Sequence, residues 1–307
     1  MRGMPDASVD AVVTDPPYGL TIVGSAWDRE VPGVAYWTEA LRVAKPGAHL
    51  LAFGGTRTVH RLVCTIEDAG WDVRDMIMWL YGTGIPKTTY SNGEGVGTAL
   101  KPACEPITMC RKPLIGKLAT NLDVYGTGAL NIGACRIGDG KGVPSSYSWA
   151  GIKHGFASPP LSSPGANASV GRYPANVCHD GSDIVTRGFP DRSEDKRYTS
   201  GGTTRFFYCS KTAPADKDND LFPGGNPHLT IKPTPLMQWL VRLVTPPGGL
   251  VLDPFAGSGS TGKACMREGF RFVGIEREAE YVTVARARIE RELEASAMLW
   301  SDETPSP

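Results

Sequence analysis

The chain has 307 residues, with 32 Lys and Arg balancing 32 Asp and Glu, so its net charge is zero, and 41% of it is hydrophobic. That length buries a real core in one large domain or a domain with an insertion. No apolar run approaches the ~20 residues of a membrane span, and no secretion signal opens the chain, so a cytoplasmic protein is expected.

Residues 8–14, SVDAVVT, predict a short buried strand that ends in Asp15-Pro16-Pro17-Tyr18, where two prolines take the chain out of the sheet. Residues 34–44 predict a helix, stopped by Lys45-Pro46-Gly47. His49 to Phe53 predicts a strand. Residues 57–69 predict a second helix, and Asp72 to Tyr81 a further strand. Strands alternating with helices of this length indicate a parallel α/β sheet. From Gly82 to Gly97 the period is lost, and a mobile loop is expected. A short strand is expected at Pro106 to Cys110.

Gly and Pro together number 62, against a usual share of roughly 12%. Much of that excess lies in residues 116–227, which read as an irregular insertion. Residues 111–227 hold 14 basic and 10 acidic residues, +4, inside a frame of −4. A basic middle admits a nucleic-acid partner without demanding one. The α/β pattern resumes near 228: a helix over Pro235 to Thr245, a strand at Leu250 to Leu252, a helix over 260–268, a strand at Arg271 to Ile275, and a charged helix from Glu278 to Glu294 before a frayed end. The seven cysteines include no C-x-x-C pair, and Cys178-His179 are merely adjacent. They are expected to be reduced thiols used as small hydrophobes, with no metal.

Two segments carry chemistry. In 250–276 a buried strand meets a Gly-rich turn, a helix and a second strand ending in Glu276. Glycines let the backbone approach a ligand, and the helix start presents free N–H groups. Gly257, Gly259 and Gly262 match G-x-G-x-x-G, so a dinucleotide site, and a nicotinamide-dependent oxidoreductase with it, is weighed; that reading leaves Asp15-Pro16-Pro17-Tyr18 unexplained. In the second segment a rigid turn at a strand end fixes the Asp15 carboxylate, the Pro16 carbonyl and the Tyr18 ring. An acceptor pair beside an aromatic face suits a planar base with an exocyclic amine.

DPPY followed far downstream by DPFAGSGST resembles the amino-group DNA methyltransferases that use S-adenosyl-L-methionine, in the permuted order of their β class. KPGAHLLAFGGTRT, IMWLYGTGIPK, ALKPACEPI, YGTGALNI, GRYPANV, RFFYCSK and NPHLTIKPTPLMQWL extend the resemblance to the phage-type and mobile-element DNA modification methylases. It implies a Rossmann-like, circularly permuted methyltransferase fold: a mostly parallel twisted sheet with helices on both faces. A catalytic half would span 1–110, a target-recognition insertion 111–227 and a cofactor half 228–307. It implies that Asp15, Pro16, Pro17 and Tyr18 receive the target base. Asp253, Pro254, Phe255, Ala256, Gly257, Ser258, Gly259, Thr261 and Glu276 would form the cofactor site, with Thr230, Lys232 and Pro233 at its methionine end. Arg57, Lys87, Arg172 and Arg205 would touch DNA phosphates. Trp27, Trp37, Trp71 and Trp79 are expected to pack in the core.

The implied reaction is methylation of adenine N6 in double-stranded DNA, because Asp rather than Ser stands at position 15. Cytosine N4 is the alternative target, and a truncated DNA-binding remnant the alternative role. A bacterial or phage-encoded protein, a homodimer among its assemblies, is expected. The resembled family carries a Gly-Asp strand ahead of DPPY. Only MRGMPDAS precedes the strand that leads into DPPY here, so the Gly-Asp strand is expected to be missing and a sheet edge exposed.

Overall fold

The computed structural model describes residues 1–21, 26–84, 98–137, 173–187, 207–208, 212, 214–228 and 230–301. In chain order its elements are β1 (Val9–Thr14), α1 (Val34–Val43), β2 (Ala44–Phe53), α2 (Val59–Asp68), β3 (Asp72–Leu80), β4 (Cys104–Arg111) and α3 (Leu118–Tyr125). There follow β5 (Val177–His179), α4 (Asp183–Thr186), β6 (Phe207–Tyr208), α5 (Thr234–Val244), β7 (Leu250–Asp253), α6 (Ser260–Glu268), β8 (Arg271–Gly274) and α7 (Ala279–Ser301). The strands form one sheet in the order β6-β5-β3-β4-β2-β1-β7-β8. β4 runs antiparallel to β2 and β3, and the other pairs are parallel.

Alternation along the strands splits the core in two. Ala11, Val13, Leu51, Phe53 and Val251 face α5 and α6, where Leu236, Trp239, Leu240, Ala264 and Cys265 cover them. Val12, Leu50, Ala52 and Leu252 face the other way, under Trp37, Ala40, Val43, Leu62 and Ile66 of α1 and α2. The helix after β1 and the helix after β7 therefore lie on opposite faces. The loops leaving these adjacent parallel strands part, and a crevice opens at their carboxyl ends.

Several boundaries differ from expectation. β2 begins at Ala44, not His49, and takes in Lys45-Pro46-Gly47. Its register against β1 jumps from Val9↔Ala44 to Ala11↔His49, and this bulge accommodates Pro46, together with Gly47 at φ +80°. The Pro46 carbonyl is used: Asn121 Nδ2 donates to it at 2.9 Å and Thr127 Oγ1 at 2.5 Å. β4 is longer than expected because it is paired on both sides. α7 runs past Glu294 to Ser301, since Ala, Met and Leu favour helix.

The expected loop at 82–97 lies mostly outside the described residues. Stretch 111–227 is not set apart from the sheet where it is described: β5 and β6 extend that sheet. β8 is an edge strand, exposed at Arg271 and Gly274, while β1 lies inside. Cys110, Cys135, Cys178 and Cys265 are buried, but Cys64 is exposed on α2. Among the described residues no helix is long and apolar enough to cross a membrane, and no group of three or more His, Cys, Asp or Glu could hold a metal ion.

Candidate active site

β1 delivers Asp15 to the crevice. The loop behind it is fixed by Asp28, whose carboxylate accepts the N–H of Tyr18 at 2.6 Å, Gly19 at 3.0 Å and Leu20 at 3.3 Å. The Tyr18 hydroxyl lies 2.9 Å from Asp15 Oδ1 and 2.9 Å from Oε2 of Glu105. Lys232 Nζ donates to Asp15 Oδ2 at 2.6 Å and lies 3.3 Å from Glu105 Oε2. Its ammonium sits 5.3 Å from the centre of the Tyr18 ring and 4.9 Å from that of Phe53.

Burial raises the Asp15 carboxyl above the usual range, and Lys232 offsets only part of that. Burial and the two carboxylates hold the Tyr18 hydroxyl well above its ordinary value. For Lys232 burial works against the charge, but Asp15 and Glu105 outweigh it and hold the ammonium above its usual value. At neutral pH the phenol is therefore neutral and the lysine charged.

The second half comes from β7. Asp253 is buried beneath the turn and fully engaged: Thr14 Oγ1 donates to it at 2.6 Å, Thr261 Oγ1 at 2.5 Å and Phe255 N at 3.1 Å. Burial pushes its carboxyl up to about 6. Gly257 has φ +49°, and a Cβ there would stand 2.8 Å from Nε2 of His228. Glu276, at the end of β8, accepts Gly257 N at 2.8 Å, Arg277 N at 2.7 Å and Glu278 N at 2.8 Å. Gly262 serves packing: a Cβ there would meet Ile289 at 2.3 Å.

A cleft of about 2300 Å³ joins the two halves. That exceeds the ~300–1,000 Å³ of most small-ligand pockets, leaving room for a nucleotide-sized cofactor and a second planar group. Of the expected site residues, Asp15 to Tyr18, Asp253 to Ser258, Thr261, Glu276, Thr230 and Lys232 line it. Gly259 packs against Ala285, and Pro233 caps α5. Arg57 lines the cleft and is exposed. Lys87, Arg172 and Arg205 lie outside the described residues. Trp37, Trp71 and Trp79 are core residues as expected. Trp27 departs from that expectation: it is half-buried and lines the cleft, because the 26–28 turn holds it at the rim.

Sequence reasoning missed Glu105, His228, Asp28 and Arg288. The signal for Glu105 was a lone carboxylate directly before the apolar strand expected at Pro106 to Cys110, which in the structure begins at Cys104. Arg288 is buried on α7. It donates to the carbonyl and, at 2.9 Å, the hydroxyl of Ser258, to Asp218 Oδ2 at 2.8 Å and to the Asp216 carbonyl at 2.9 Å. Lys263 joins Asp218 at 2.7 Å. The Gly-rich turn is thus clamped from below.

Residues 9–287 match the model of the N6/N4 family of DNA methylases. Sixty-nine residues are 45% identical to the type II methyltransferase M2.DpnII of Streptococcus pneumoniae, covering 22% of this chain and 26% of that one. A stretch of 115 residues is 31% identical to the type II methyltransferase M.Cfr9I of Citrobacter freundii, covering 34% and 38%. The chain thus spans well under half the length of these relatives. The fold matches that of the cytosine-N4-specific PvuII DNA methyltransferase with a TM-score of 0.54 at 15% identity, covering 96% of this chain and 87% of that one.

Proposed function

The chain belongs to the N6/N4 DNA methylase family, and from that membership we propose that it transfers a methyl group from S-adenosyl-L-methionine to the N6 of adenine in double-stranded DNA. The observation that carries the reading is the single cleft in which Asp15 at the end of β1 faces the glycine turn at the end of β7. The residues present fit the cofactor. A left-handed glycine stands where a side chain would collide with His228, and a carboxylate stands at the next strand end. Gly257, Ser258, Glu276 and Thr230 would hold it, and when bound it supplies an electrophilic methyl group.

The chain's own residues do the rest. An exocyclic amine is a poor nucleophile because its lone pair is delocalised into the ring. Asp15 and the Pro16 carbonyl accept its hydrogens, favour a pyramidal nitrogen and hold the lone pair in line. Tyr18 offers a face for the base, which must leave the duplex to reach the cleft. An aspartate at position 15 supports adenine over cytosine. Residues 111–227, with their net positive charge, are assigned to target recognition. The test is incubation of the purified chain with labelled S-adenosyl-L-methionine and duplex DNA, followed by nucleoside analysis. N6-methyladenine is expected; label only on cytosine N4 would overturn the choice of base, and no transfer would overturn the activity.

A further inference from the structure

Methylation leaves the amine nitrogen with one proton too many, and the site must dispose of it. Asp15, the acceptor assigned above to that nitrogen, is already engaged by Lys232 at 2.6 Å and by the Tyr18 hydroxyl at 2.9 Å. The same hydroxyl lies 2.9 Å from Glu105. One hydroxyl hydrogen cannot serve two carboxylates at once, so it alternates between them or one carboxyl keeps a proton of its own. Glu105 comes from the start of β4 and lines the same cleft; its side chain, 19% exposed, is about as accessible as that of Asp15, 21% exposed. The arrangement reads as a chain of three hydrogen-bonded oxygens that leads from Asp15 through Tyr18 to a second carboxylate.

We propose that Asp15, Tyr18 and Glu105 form a proton relay that ends on Glu105. The proposal rests on the methyl-transfer reading given above. The nitrogen lone pair forms the new bond to the methyl carbon, and the carbon–sulfur bond breaks with its electron pair left on sulfur. An N–H bond then breaks, its pair returning to nitrogen, and the proton passes to Asp15. Asp15 gives it to the Tyr18 oxygen as the phenolic hydrogen moves to Glu105. The phenol is neutral before and after, in keeping with burial that disfavours a phenolate. Lys232 holds both carboxylates in place and balances part of their charge. The other ionisable neighbours are Tyr81 and Cys104 beside Glu105, and Asp253 behind Asp15.

The test compares wild type with Glu105→Gln, Tyr18→Phe and the double variant in single-turnover methylation of duplex DNA. Gln keeps the shape and the hydrogen bond to Tyr18 but takes no proton; Phe keeps the ring. Each single variant is expected to lose about a hundredfold or more in rate, from the lower end of general acid–base effects upward. Cofactor affinity by calorimetry should stay within about threefold. The double variant should be no slower than the slower single one, since both break one path. A readout without turnover is infrared titration of the ligand-free protein, in which a protonated-carboxyl band should change in both single variants. Wild-type rates in a folded Glu105→Gln, multiplied losses in the double variant, or an unchanged carboxyl band in Tyr18→Phe would overturn the relay. A wild type that transfers no methyl group would instead overturn the proposed function, and the relay with it.

Discussion

Thr14 donates its hydroxyl hydrogen to Asp253 across 2.6 Å, and so ties the strand that ends in Asp15 to the strand that ends in the glycine turn. The two residues are far apart in sequence and adjacent in the sheet. The bond sits one residue before Asp15, so any shift of β7 is carried to the proposed base site.

Asp15→Ala should remove at least ~2–3 kcal/mol of transition-state stabilisation, the scale for one preorganised polar group. Cofactor affinity should fall less than turnover, because Asp15 lies on the base side of the cleft. Methyl-transfer kinetics beside calorimetry check it; a kcat within a few-fold of wild type would show that Asp15 has another role.

Asp253 gives a pH signature. Burial raises its folded value to about 6 from the ordinary 3.8. The folded state therefore holds a proton that the unfolded state has lost. This contribution to stability is full below about pH 4 and is lost as pH rises to about 6. The difference amounts to about 3 kcal/mol at 1.36 kcal/mol per unit. Asp253→Asn should flatten that part of the stability curve, as read by thermal melting across the interval. A variant curve parallel to that of wild type would rule this out.

Arg288→Met should cost about 3 kcal/mol, the lower end for breaking a buried pair, because Asp218 keeps Lys263 at 2.7 Å and Arg291 at 3.6 Å. It should also weaken cofactor binding, since the Ser258 carbonyl loses its donor. Denaturant unfolding and calorimetry separate the two losses. Unchanged affinity in the folded fraction would confine Arg288 to stability.

Recognition should move with residues 111–213 but not require 214–227. Asp216 accepts the Thr234 N–H at the start of α5 at 2.7 Å, and Asp218 pairs with Lys263 and Arg288. The last stretch thus belongs physically to the glycine-turn half. A chimera exchanging 111–213 with a relative should methylate the relative's site. Retention of the original site would place recognition elsewhere.

The sequence by itself determined both strand ends that face each other. Alternating apolar runs broken by Asp15-Pro16-Pro17 and by Asp253-Pro254 mark where β1 and β7 must leave the sheet, and turn chemistry is local. It also determined the α/β class, since helical and strand periods alternate along the chain. It did not determine that Tyr18 meets Glu105, 87 residues on, or that Asp15 meets Lys232, 217 residues on. Periodicity predicts a strand at Pro106 to Cys110, short of the Cys104–Arg111 that forms, and does not tell which way it runs. Only because β4 is antiparallel to β2, with Phe53 opposite Ile107, does its beginning lie at the carboxyl ends of the parallel strands. Strand direction is settled by long-range pairing and by how the connecting chain packs. That is why the carboxylate that completes the site became visible only in three dimensions.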